Sequence, residues 1–124
     1  MKSNKLLILV SSIFISNMAA ADIIKCMFTE PFGTSTYSMT QSVLKYDMAD
    51  SDKSKTIKNV SFQIKAAGEF ELISKEGKVL QKISLTKNGS DGMSDRVYPY
   101  EVKDSGMATN ANNGTGGCSS NHLK

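Results

Sequence analysis

The chain has 124 residues, 40% of them hydrophobic, with two cysteines, no tryptophan and a formal charge of +3. That length suits one domain and is short for two independent cores. Two of the 15 basic residues, Lys2 and Lys5, lie in an N-terminal leader, leaving 13 against 12 acidic ones and a net charge of +1. So balanced a domain has no electrostatic footprint for nucleic acid.

The leader comes first in the chain. Lys2 and Lys5 precede an apolar run from Leu6 to Ile15, and Ala19-Ala20-Ala21 offers small residues for cleavage before Asp22. This is the pattern of a secretory signal peptide over residues 1–21. The apolar run is well short of the roughly 20 residues that span a bilayer, so no integral membrane segment is expected in the mature chain. The expected address is periplasmic or secreted. Cleavage leaves a β domain over residues 22–102 and a polar segment over 103–124.

Hydrophobic periodicity in the mature chain is two, the period of strands. Ile24, Cys26 and Phe28 share one face of a first strand, and Pro31 and Gly33 end it. Further strands are predicted over 35–39 and 43–48, where Leu44, Tyr46 and Met48 alternate with Lys45 and Asp47. Residues 49–55 read as a loop. From Thr56, Val60, Phe62 and Ile64 mark a single strand, and a turn at residues 66–68 leads into Phe70 and Leu72. Gly77 and Asn88-Gly89 are turn signals that bracket a return strand over Val79, Ile83 and Leu85, with Gln81 a polar exception on its face. The last predicted strand is Val97–Val102. Pro99 cannot donate to a ladder, so that strand is expected at an edge or with a bulge. Lys103 to Gly117 is rich in Asn, Gly and Thr and is expected to be a flexible loop or tail. Six or seven short strands joined by tight turns predict an all-β fold, a small antiparallel barrel or sandwich, with a barrel-like meander favoured.

Cys26 and Cys118 allow one intramolecular pairing, and an oxidising compartment favours it. A Cys26–Cys118 disulfide is therefore predicted; two separate thiols or an intermolecular bond are the alternatives. It would tie the polar C-terminal segment back to the first strand.

The stretch with the most chemistry is Ser90-Asp91-Gly92-Met93-Ser94-Asp95-Arg96, followed by Tyr98-Pro99-Tyr100. As a calcium loop it is poor, because Asp91 and Asp95 are four apart with Met93 between them, whereas such loops alternate oxygen ligands. No metal or cofactor is expected. As a nucleophile Ser94 lacks a base: the only histidine is His122, near the chain end, and no Gly-x-Ser-x-Gly elbow surrounds it. No catalytic residue is assigned and the chain is not expected to be an enzyme, although paired carboxylates for a hydrolase have no sequence spacing that would betray them. The bland reading is that Asp91 and Ser94 bond to local backbone amides in consecutive turns. The sharper one is a recognition surface for an envelope or secreted protein partner. Alternation places Tyr98 and Tyr100 on one face, as a partner platform or as caps on the barrel mouth.

These residues also carry a resemblance. Ser90-Asp91-Gly92-Met93-Ser94-Asp95, then Tyr98-Pro99 and finally Gly117-Cys118, resembles the motif of a group of small, uncharacterised bacterial envelope proteins, in which a cysteine precedes the Ser-Asp-Gly-Met-Ser-Asp string. The match covers about the last third of the chain. Gly89 stands where that pattern has its first cysteine, so a local disulfide across the motif is impossible here. The resemblance implies export in a bacterium and a small β domain, without an activity. Three functions follow as expectations: a non-enzymatic envelope binding or structural domain, an inhibitor of a lysozyme-like or proteolytic enzyme, and a hydrolase using acidic residues.

Overall fold

A computed structural model describes residues 22–29, 32–106 and 114–120. Residues 1–21, expected to be a leader, residues 107–113 and His122 lie outside the described residues. The described chain is all-β: nine strands in one antiparallel sheet, with a single short 3₁₀ turn over Ser51–Lys53. No helix among the described residues is long and apolar enough to cross a membrane.

The strands are β1 (Ile23–Thr29), β2 (Phe32–Ser38), β3 (Val43–Met48), β4 (Lys55–Ile57), β5 (Ser61–Ala66), β6 (Glu69–Ile73), β7 (Val79–Gly89), β8 (Tyr98–Asp104) and β9 (Gly114–Ser120). Across the sheet they run β4-β3-β2-β1-β9-β8-β7-β6-β5. The chain therefore meanders outward from β1 to β4, then inward from β5 to β9.

This order forces the sheet to curl. In a flat sheet, eight spacings of about 4.8 Å would hold the edge strands β4 and β5 roughly 38 Å apart. Yet only residues 58–60 join them, and that link reaches about 14 Å from Ile57 to Ser61 at full extension. The sheet closes into a half-barrel around its apolar face. The single strand predicted from Thr56 onward is in fact two, β4 pairing with β3 and β5 pairing with β6. The change of partner falls at Asn59, which has φ +60°, and at Val60, which is fully buried and whose amide donates to the Ser42 carbonyl.

Inside the curl lie Ile24, Phe28, Tyr37, Leu44, Tyr46, Leu72, Ile83, Tyr100 and Val102, all buried. Their removal from water is the main stabilising term, about 1.5–3 kcal/mol for each large side chain. The polar exception Gln81 has a partner set of its own. Its side-chain amide donates to Ser35 Oγ at 2.9 Å and to Asp104 Oδ1 at 3.0 Å, and the Tyr46 hydroxyl donates to the same Asp104 oxygen at 2.6 Å. Burial, with the Asp104 carboxylate beside it, pushes the Tyr46 hydroxyl far up. The network ties β2, β3, β7 and β8 together across the core.

Two sequence expectations change here. The Asn- and Gly-rich tail contains β9, which lies in the middle of the sheet between β1 and β8. Periodicity missed it because Gly114, Gly116 and Gly117 carry no side chains to alternate. Close packing needs them: a Cβ on Gly116 would come 2.1 Å from the Met27 carbonyl oxygen, and one on Gly117 would come 2.7 Å from the Tyr98 ring. Cys26 and Cys118 stand directly opposite each other in the β1–β9 register and are disulfide-bonded, with their Cα atoms 4.0 Å apart. The second is the strand carrying Pro99, expected at an edge or with a bulge: it is interior, so the edge alternative falls and the bulge alternative holds. What accommodates the proline is a register shift in its neighbour, where Leu85 pairs with Tyr100 and Gly89 with Tyr98.

Candidate functional site

Between β7 and β8 the chain turns through residues 90–97, the segment the sequence singled out. Asp91 organises it. Its Oδ1 accepts the backbone amides of Met93 at 2.9 Å and Ser94 at 2.8 Å, and its Oδ2 accepts the hydroxyls of Ser94 at 2.8 Å and Tyr98 at 3.2 Å. Both carboxylate oxygens are thus engaged by the same eight-residue stretch. The amides of Ser94 and Met93, then the Ser94 hydroxyl, hold this carboxyl far below the usual range, because every such bond favours the charged form.

The surrounding residues finish the turn. Ser90 Oγ accepts the Gly92 amide at 2.9 Å and Ser94 Oγ accepts the Arg96 amide at 3.3 Å. Gly92 takes φ +81°, a conformation that disfavours any residue with a Cβ. Only 6% of Asp91 is exposed, enclosed by its own loop rather than sunk in the core.

Tyr98 and Tyr100 part company. Tyr100 joins the core cluster, where its ring meets Phe70 edge-on at 6.2 Å. Tyr98 is buried outside that cluster, with its ring against the bare Cα of Gly117, its hydroxyl on Asp91 and the Arg96 guanidinium 4.8 Å from its ring centre. The register shift between Leu85 and Gly89 of β7 falls opposite residues 98–100. Burial, then the bond to the Asp91 carboxylate, pushes the Tyr98 hydroxyl up.

The motif therefore divides by role. Ser90, Asp91, Gly92, Ser94 and Tyr98 hold the turn together. Met93 and Val97 project from it, 61% and 65% exposed, and Asp95 is exposed with no hydrogen bond or ion pair among the described residues. The loop is bonded to itself and leaves two apolar side chains and an acid exposed.

A second concave feature is a groove of about 370 Å³ on the solvent face of β5–β9. Three glutamates, Glu69, Glu71 and Glu101, line it together with Lys65, Lys82 and Lys103. Register places Lys82 between Glu71 and Lys103, and Ser84 between Glu69 and Glu101. This grouping is invisible in the sequence, because the residues come from four strands and meet only through pairing. No family model matches the chain, nor does any curated protein or solved structure, so the functional argument rests on the residues themselves.

Proposed function

We propose that this chain is an exported, non-enzymatic binding domain of a bacterial cell envelope, and that the 90–97 loop is its recognition element for a protein partner. The observation that carries the reading is the division of labour in that loop. Asp91 accepts two backbone amides and two hydroxyls from its own stretch of chain, while Met93 and Val97 are left in water. A loop ordered in advance loses little entropy on docking, and exposed apolar side chains supply the desolvation that drives it. The buried disulfide supports export, since an oxidising compartment is where such bonds persist.

An inhibitor of a lysozyme-like or proteolytic enzyme is the sharper form of the same reading, favoured by the same pre-formed loop. The hydrolase reading draws on the groove instead. Its glutamates alternate with lysines on an exposed sheet face, whereas a general acid needs a desolvated carboxyl. The Asp91 carboxyl is moved the opposite way, held low by its hydrogen bonds.

Photo-crosslinking tests the proposal. A photoreactive residue at Val97 should give a discrete protein adduct in the envelope of the producing cell, abolished by Met93→Asp, while one at Lys45 should not. If adducts form equally from both positions, or from neither, the loop is only a turn. Titration of the purified domain into muramidase and protease assays then separates inhibition from simple binding.

A further inference from the structure

The two edges of the sheet are unequal. β4 is three residues long and carries Lys55, a short charged edge of the kind that discourages pairing. β5 is six residues long, and among the described residues no strand pairs with its outer side. Its side chains extend the core outward. Tyr100 meets Phe70, Phe70 stacks on Phe62 with ring centres 5.4 Å apart, and Ile64 stands opposite Phe70 with 69% of its surface exposed. An apolar ladder that begins in the core thus ends on an open strand edge, where backbone donors and acceptors await another strand.

The sequence of β5, Ser-Phe-Gln-Ile-Lys-Ala, complements itself. A two-fold axis through Gln63, perpendicular to the sheet, pairs Gln63 with its own copy, Phe62 with Ile64 of the second copy and Ser61 with Lys65. Such an axis keeps each face on its own side. The apolar residues of both copies then share one face and form two aromatic to β-branched cross-strand pairs, a favourable type. Charge selects the same register. Lys65 is the only charged residue in the strand, it faces Ser61, and its two copies stand about 14 Å apart, beyond the screening length of about 8 Å at physiological ionic strength. An axis through Lys65 would instead set two lysines directly opposite. The register irregularity between Ile64 and Ala66 lies outside the Phe62–Ile64 segment that makes the central contacts.

We infer that β5 is a self-association edge through which two copies of this chain pair antiparallel, joining their half-barrels in one continuous sheet. The recognition loop belongs to a different part of the sheet, between β7 and β8, so this inference stands independently of the partner proposed above.

Sedimentation of the oxidised chain from Asp22, which contains all nine strands, tests it together with hydrogen exchange. The sedimenting mass should double as concentration rises, and the amides of residues 61–65 should exchange more slowly over the same range. Ile64→Lys should abolish both effects with the circular dichroism unchanged, and Ile64→Val should keep them. A mass that stays monomeric at every concentration overturns the inference, as does a dimer that survives Ile64→Lys. A monomer whose β5 amides are slowed only by a synthetic extended peptide overturns it in favour of peptide capture.

Discussion

The 90–97 loop and β9 are both short and built largely of small and polar residues, yet they are held in opposite ways. The loop closes on itself: Asp91 reaches residues two, three and seven positions ahead, and every bond in the cluster is local. β9 has almost nothing of its own. It lies between β1 and β8 through backbone pairing, through glycines that let its neighbours approach, and through one covalent bond to a strand 92 residues away in sequence. One region is specified by side-chain chemistry and the other by the space its neighbours leave. The two should therefore fail separately.

The largest effect is expected at Gly116. Adding a methyl there drives a Cβ into the Met27 carbonyl, a backbone atom that cannot move without breaking the β1–β9 ladder. Gly116→Ala should cost on the order of 3 kcal/mol in urea unfolding, at the upper end for overpacking, or prevent folding altogether. Next comes the disulfide. Replacing both cysteines by alanine should lower stability by about 2–4 kcal/mol. Hydrogen exchange should then quicken across β9 while the amides of Met93 and Ser94 keep their protection. If both regions loosened together, the contrast between them would be lost.

Asp91→Asn should cost less, and its signature is a pH dependence. A carboxyl whose folded pKa is depressed adds stability that is present above its unfolded value, about 3.9, and is lost as pH falls below it. The wild-type chain should therefore lose loop protection progressively below about pH 4, whereas the Asn variant should start lower and show a flatter acid limb. Tm measured between pH 2 and 7 would reveal the difference. Smallest of all, Met93→Asp and Val97→Asp should move stability by no more than about 0.5 kcal/mol, since both side chains are exposed. Their effect belongs to partner binding; a large stability loss would mean that the loop packs against something it needs in order to fold.

Much of this was legible residue by residue. Alternation at Ile24, Cys26 and Phe28, and again at Leu44, Tyr46 and Met48, marks strands whose inner faces are the core. Gly77 and Gly92 both have positive φ, in turns the sequence had marked. Asp91 and Ser94 bond to local amides as their types favour. Gln81 announced the buried network by breaking its strand's pattern, although nothing in sequence named Ser35, Tyr46 and Asp104 as its partners. Tyr98 and Tyr100 looked equivalent and are not: the first bonds to Asp91 and the second joins the core cluster.

By itself, then, the sequence determined the all-β class and the two-residue period of strands such as β1 and β3, and it favoured the one intramolecular cysteine pairing and a local role for Asp91, since period and turn chemistry depend on side chains acting on themselves or on near neighbours. Only the tertiary structure decided that residues 55–66 serve two edges of one sheet, that β9 lies at its centre and that six charged residues share a groove. Backbone hydrogen bonds look the same for every residue type, and glycine adds no pattern, so the order of strands is chosen by which arrangement closes the curl and buries the apolar face.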